Sequence, residues 1–177
     1  MQGRNEIEDV HRVEFEIVLD VIVVPDVARI EVAGYGPTKA ICDRMKVETP
    51  QDARFSLQYC VAALLHLGGV RLAAFAPETL ARADLRAFMP RVGVTVDPEI
   101  AAAYPGRRQA RLSVTLTDGR VLERFQPTRK GDPDDPLSDA ELFEKFDELT
   151  AGVLPREAAE RLKGLVMSSD DLPGLAT

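Results

Sequence analysis

The chain has 177 residues, 45% of them hydrophobic and 29% charged, which is the balance of a folded globular protein and excludes a disordered or fibrous one. The 22 Lys and Arg residues stand against 29 Asp and Glu residues, giving a formal net charge of −7. This excess of acid disfavours nucleic acid and anionic membrane surfaces as partners, because both require clustered positive charge.

Hydrophobic spacing predicts two strands at the start of the chain. Apolar residues alternate with polar ones over 13–23, and a second short strand is expected over 27–32. Residues 33–51 contain several glycines and prolines and are predicted to form a long loop, with or without a strand in its middle.

The apolar period changes to that of a helix from Asp52 onward. This helix is apolar on most sides, so we expect it to be buried and to end at Gly68-Gly69. A second helix is predicted over 77–89, ended by Pro90.

The second half of the chain contains a hairpin signal and a helix-capping signal. Asp118-Gly119 predicts a type I′ turn between two strands, and Ser138-x-x-Glu141 predicts a capping box. The predicted elements are a strand over 91–96, a turn or helix start over 97–103, hairpin strands over 110–116 and 120–125, a loop over 127–136, and helices over 138–151 and 155–167. The order predicts an α+β fold, a two-layer α/β sandwich with an antiparallel sheet followed by C-terminal helices.

The cysteines, the histidines and the N-terminus carry no strong site signal. Cys42 and Cys60 have no Cys or His partner at metal-ligand spacing, so buried, reduced thiols and no metal or organic cofactor are expected. His66, at the end of the buried helix, is expected to be a partly buried or capping residue, and His11 a solvated one. Residues 2–9 are polar, unlike a signal peptide, and a cytoplasmic location is expected.

Four segments together resemble the C-terminal part of the MmgE/PrpD family. They are DARFSLQYCVAALL at 52–65, RVGVTVDPEI with Tyr104-Pro105 at 91–105, RLSVTLTDGR at 111–120, and RKGDPDDPLSDAELFEKF at 129–146. The family includes 2-methylcitrate dehydratase, cis-aconitate decarboxylase and iminodisuccinate epimerase. The resemblance covers about residues 27–172 in consistent order and does not choose a substrate within the family.

The resemblance implies a domain organisation. Family members have a large helical domain and a smaller α/β domain that closes over it. By this comparison, residues 1–26 are a divergent N-terminal segment, 27–126 resemble the smaller domain, and 127–177 resemble a loop and the helices that return to the large domain. The large domain itself has no counterpart in this sequence.

The resemblance also implies a chemistry. Family enzymes remove a proton next to a carboxylate of a small di- or tricarboxylic acid, which requires a base and cations that hold the carboxylates. In the family, an Asp and a His come from the helical domain, and a Lys and a His from a K-x-[FY]-P loop. Residues 1–12, MQGRNEIEDVHR, have no such pattern, and His11 is not expected to replace the loop histidine. The sequence therefore assigns no catalytic residue.

Four residues in or beside the matched segments are candidates for substrate binding: Lys39, Arg54, Ser56 and Tyr59. Arg54 suits a carboxylate because a guanidinium donates two parallel hydrogen bonds. The alternatives are structural, with Arg54 as a bridge within the fold, Tyr59 as a core residue and Lys39 as a solvated cation.

Three functions remain open at this point. The chain is the lid of a 2-methylcitrate dehydratase-type lyase of propionate metabolism, inactive without a helical partner domain; or a non-catalytic module that binds small carboxylic acids; or a degenerate remnant that self-associates. The expected partners are a small carboxylic acid and either a separate helical chain or a second copy in a dimer.

Overall fold

The computed structural model describes residues 24–168, so the strand predicted over 13–23 and His11 lie outside the described residues. The elements are β1 (Val27–Gly34), α1 (Gly36–Cys42), α2 (Pro50–Arg54), α3 (Leu57–Leu67), α4 (Pro77–Leu80), α5 (Ala83–Phe88), β2 (Val92–Val96), α6 (Pro98–Ala103), β3 (Ala110–Leu116), β4 (Val121–Gln126), α7 (Asp139–Thr150) and α8 (Arg156–Met167). The chain divides into two compact units, one ending at Arg129 and one beginning at Lys130. Among the described residues, no helix is both long and apolar enough to cross a bilayer.

The four strands form one sheet in the order β2-β1-β3-β4. The predicted α+β class is confirmed, but the sheet is mixed and not purely antiparallel. β1 pairs antiparallel with β3 and parallel with β2. The five helices between β1 and β2 supply the long crossover that a parallel pair needs, whereas the short β3–β4 connection enforces antiparallel pairing.

The core of the first unit lies between the helices and one face of the sheet. Tyr59 of α3 and Leu85 of α5 are fully buried and belong to one cluster with Ile30 of β1, Val114 of β3 and Val92 of the edge strand β2. The register places Glu31 opposite Ser113 on the other, polar face. The result is two layers, as the sequence predicts.

Helix α3 begins and ends where its capping residues allow. The Ser56 hydroxyl accepts a hydrogen bond from the Tyr59 amide, which caps the first turn. Gly68 follows the last turn with a φ of 75°, a left-handed conformation that favours glycine and ends the helix as predicted. The helix predicted from Asp52 is thus two helices, since Ser56 starts a new one after α2.

One predicted loop and one predicted helix differ from the structure. The predicted loop over 33–51 contains α1, whose first turn includes Pro37, a residue suited to that position. None of its residues is buried, so it leaves no hydrophobic period in the sequence. The helix predicted over 77–89 is interrupted at Arg82, whose extended backbone precedes α5 and whose side chain binds Asp84.

The β3–β4 turn is not of the predicted type I′. That turn needs a positive φ at two residues, but within the described part of the chain only glycines have one, and Asp118 does not. Gly119 has a φ of 87°, and the Leu116 amide donates to the Arg120 carbonyl at 2.8 Å. A three-residue loop with glycine in its left-handed position therefore joins the strands.

The second unit contains a helix pair organised around one cation. Lys163 Nζ of α8 lies 2.7 Å from Asp147 and 3.2 Å from Glu160, and above the rings of Phe143 and Phe146 at 5.3 and 5.7 Å. The two carboxylates raise the pKa of Lys163. One ammonium thus links both helices through charge and aromatic contacts.

We expect Lys163→Ala to loosen the α7–α8 pair, because the substitution leaves two carboxylates without their cation. Amide hydrogen exchange in α7 and α8 should become faster, while exchange in the sheet stays unchanged. Lys145→Ala on exposed α7 surface is the matched control and should leave exchange as it is. Equal exchange in the two variants would contradict this assignment.

The capping box predicted at Ser138 is confirmed and makes α7 sensitive to acid. Hydrogen bonds from Ser138, with Lys130 nearby, lower the pKa of Glu141 from 4.5 to about 2. A lowered pKa stabilises the cap above pH 4.5, and that contribution is lost as pH falls toward about 2. An NMR titration should show this pKa rising toward its ordinary value in Ser138→Ala; an unchanged pKa would refute the capping role.

Candidate functional site

A network of polar side chains joins the C-terminal end of α1 to the N-terminal end of α3. Lys39 Nζ donates to Asp43 Oδ2 at 2.8 Å, and Gln58 Nε2 donates to Asp43 Oδ1 at 2.6 Å. The Lys39 hydrogen bond, with that of Gln58, holds the pKa of Asp43 below its ordinary value, against the opposing effect of burial. Asp43 is therefore an ionised acceptor at neutral pH. We call Lys39, Asp43, Arg44, Ser56 and Gln58 the Asp43 network.

The buried half of the network fixes the backbone of Arg44. Ser56 and Gln58 are only 1% and 2% exposed. Gln58 Oε1 accepts from the Arg44 amide at 3.1 Å, and Ser56 Oγ donates to the Arg44 carbonyl at 2.6 Å. Both peptide groups of Arg44 are thus satisfied by side chains of α3 and its cap, which sets the position of the chain after α1.

Lys39 is the network residue best placed to contact a ligand. Its ammonium also donates to the Val94 carbonyl of β2 at 2.7 Å, and its side chain is 49% exposed. An ammonium has three N–H donors, so two are used within the fold and one is left. That donor can bind one oxygen of a carboxylate.

The other three predicted substrate-binding residues differ in their exposure and in the hydrogen bonds that they already make. Tyr59 is fully buried, its hydroxyl donates to the Ala74 carbonyl, and burial raises its pKa. Ser56 is used by the network and the α3 cap. Arg54 is exposed, with its guanidinium 5.6 Å from the Phe75 ring and no ion pair to another described residue. Lys39 and Ser56 thus belong to the Asp43 network, and Arg54 does not. Substrate binding by all four residues stays a prediction.

The start of α1 lies close against the end of β1. A Cβ atom at Gly34 would lie 2.9 Å from Thr38 Oγ1 and 3.0 Å from Thr38 Cβ. Such contacts are too short for a side chain, so glycine permits this approach. Lys39 directly follows Thr38, and its position against β2 therefore depends on this packing.

Exposed apolar side chains surround Arg44. Ile41, Met45 and Phe55 are 45%, 49% and 39% exposed. Arg44 Nε donates to the Ile41 carbonyl at 2.8 Å, and its guanidinium lies 5.9 Å from the Phe55 ring. We call these three residues, together with the Asp43 network, the α1–α3 face. Exposed apolar side chains grouped on one surface are a feature of surfaces that contact another protein.

The other chemically reactive side chains nearby are used by the fold. Cys42 and Cys60 are free thiols but half-buried, not buried as predicted. Burial, and the nearby Cys42, raise the pKa of Cys60 to about 11, so its thiol is protonated at neutral pH. His66 Nδ1 lies 2.8 Å from the Ala62 carbonyl, and the ring packs edge-on against Phe88, the structural role expected for it.

Two comparisons place the chain among known proteins. The sequence profile of the MmgE/PrpD C-terminal domain matches residues 5–171. The chain belongs to the MmgE/PrpD family. It is 29% identical over 121 residues to a cis-aconitate decarboxylase of Homo sapiens, covering 68% of this chain and 25% of that protein. It is 26% identical over 125 residues to a cis-aconitate decarboxylase of Mus musculus, covering 71% of this chain and again 25% of that protein. The chain thus matches about a quarter of these MmgE/PrpD relatives.

Sequence reasoning missed the centre of the site, Asp43 and Gln58. Asp43 lies in the predicted loop, and its i,i+4 spacing from Lys39 becomes a signal for an ion pair only when the segment is recognised as a helix. Gln58 lies within a run of apolar residues and has no sequence signal of its own.

We expect Gln58→Ala to lower the free energy of unfolding by about 2 kcal/mol, because it removes the hydrogen bonds from a buried amide side chain to the Arg44 backbone and to Asp43 and leaves a cavity. Denaturant unfolding of the 177-residue chain measures the change. Gln51→Ala, at an exposed position of α2, is the control and should change stability by less than about 0.5 kcal/mol. A similar small effect in both variants would contradict a stabilising role for the network.

Proposed function

We propose that this domain is the lid of a lyase-type active site for small di- or tricarboxylic acids, with the α1–α3 face turned toward a helical domain. The observation that carries the proposal is the family match together with its extent, since the chain corresponds to a quarter of the length of two cis-aconitate decarboxylases. The exposed apolar rim of the face supports it, because such a rim needs a covering surface.

The side chains present in this domain decide which catalytic roles we assign to it and which to the helical domain. Proton removal next to a carboxylate needs a base within hydrogen-bond reach of the acidic carbon. At the α1–α3 face, Asp43 is the one carboxylate of the network, and it is already paired with an ammonium and an amide. We therefore assign the base to the helical domain and assign charge recognition to this domain.

Lys39 and Arg54 are the residues that we assign to carboxylate recognition. Lys39 has one remaining N–H donor beside the network, and Arg54 has a guanidinium without an ion pair to a described residue. Cationic groups that meet the developing negative charge stabilise the transition state of such reactions. Ser56 and Tyr59 contribute indirectly, because their hydrogen bonds hold α3 in place.

A cytoplasmic location, a dimer and a role in propionate metabolism are the finer parts of the proposal, and they follow from the resemblance and the composition alone. The competing function is a module that binds small carboxylic acids without catalysis. Asp43 is already hydrogen-bonded and is not a free base, which agrees with a binding module as well as with a lid. Binding and turnover must therefore be measured separately.

The first experiment separates the lid from an independent enzyme. The 177-residue chain is incubated with cis-aconitate, citrate or 2-methylcitrate, and products are followed by proton NMR. We expect no turnover by the chain alone, and turnover when a helical MmgE/PrpD domain encoded beside it is added. Turnover by the chain alone would overturn the lid assignment; binding without turnover in both mixtures would support the non-catalytic module instead.

The second measurement locates the carboxylate. Titration of the chain with citrate at millimolar concentration should shift the amide NMR signals of α1 and β2, and Lys39→Ala should abolish those shifts. Lys46→Ala is the control, because Lys46 is an exposed cation, paired with Glu48, outside the network. Unchanged shifts in Lys39→Ala would refute the role of Lys39.

A further inference from the structure

A pocket separate from the α1–α3 face opens where α6 meets the polar face of the sheet. Its volume is about 330 Å³, within the range of small-ligand sites. The lining residues are Glu99, Ile100, Gln109, Arg111 and Phe125. Four of them come from α6, β3 and β4, and Gln109 comes from the segment between α6 and β3.

Arg111 presents unused donors to this pocket. Its Nε atom donates to Asp97 Oδ2 at 3.2 Å, and its guanidinium lies 5.3 Å from the Phe125 ring. Its Nη2 atom is 3.8 Å from Glu99 Oε2, beyond hydrogen-bond distance. The two Nη groups thus make no hydrogen bond to another described residue, and their parallel N–H bonds suit one carboxylate.

Glu99 supplies the opposite charge beside these donors. Its side chain is 88% exposed, and that 3.8 Å approach to Arg111 is its ion pair within the described part of the chain. With Asp97 also present, two carboxylates face one guanidinium, so the site has a net charge of about −1 at neutral pH. This balance disfavours a di- or tricarboxylate and favours a ligand that has both charges.

The remaining walls of the pocket include two apolar side chains and one amide. Ile100 is 1% exposed and forms the buried floor, and Phe125 is 41% exposed. Gln109 adds an amide to the wall. An aliphatic group can therefore be covered while charged groups are bound at one end.

We propose that this pocket binds a free α-amino acid with an aliphatic side chain. The carboxylate is held by the Nη groups of Arg111, the ammonium by Glu99, and the side chain by the exposed part of Phe125. An α-amino acid fits because its two charges are attached to one carbon, which matches the close approach of Arg111 and Glu99. The site is independent of the proposed lid function.

L-leucine is the probe, titrated into the 177-residue chain with amide NMR signals of α6, β3 and β4 as the readout. We expect saturable shifts at millimolar ligand. Leucinamide lacks the carboxylate and N-acetyl-leucine lacks the ammonium, so each should bind about tenfold more weakly or worse. Equal binding of N-acetyl-leucine would overturn the role of Glu99 and reduce the site to an anion site at Arg111.

Substitutions complete the test. Glu99→Gln should weaken L-leucine binding about tenfold and leave the fold intact, because Glu99 is almost fully exposed. Glu78→Gln changes the same residue type in the first turn of α4 and is the matched control, expected to bind as the native chain does. Absence of saturable shifts with the native chain, or equal affinity in both variants, would overturn the proposal.

Discussion

The carboxylate of Asp43 is the acceptor on which the α1–α3 face depends. It receives one hydrogen bond from the Lys39 ammonium and one from the Gln58 amide, groups on two helices separated by the loop after α1. Gln58 is buried, so its amide depends on protein partners, whereas the side chains of Lys39 and Asp43 are 49% and 33% exposed. The geometry of the exposed rim is therefore set by an interaction beneath it.

The sheet separates two chemically different surfaces. On the helical side, Lys39 presents positive charge beside an apolar rim, which suits a carboxylate held between protein surfaces. On the polar side, Arg111 is outnumbered by Asp97 and Glu99, which disfavours the same ligand. Membership in the MmgE/PrpD family does not by itself assign a role to either surface.

Local signals in the sequence predict the elements that depend on local physics. Three such features are the Ser138 capping box, the end of α3 at Gly68 and the β3–β4 hairpin. Each is predictable because residues close together in the sequence determine it. The parallel pairing of β1 with β2 was not found, since it depends on a crossover whose path the sequence does not encode locally. Helix α1 was missed because a short helix with no buried residue leaves no hydrophobic period.

The same distinction holds at the candidate site. Residue type and family resemblance singled out Lys39 and Ser56 but could not show that Asp43 and Gln58 connect them, because that contact joins distant parts of the chain. Gly34, which has no side chain, also influences the position of Lys39. A methyl group there would push the first turn of α1 outward by way of Thr38, and the neighbouring ammonium would move with it. A residue with no functional group of its own thus sets the distance between a strand end and the ammonium of Lys39.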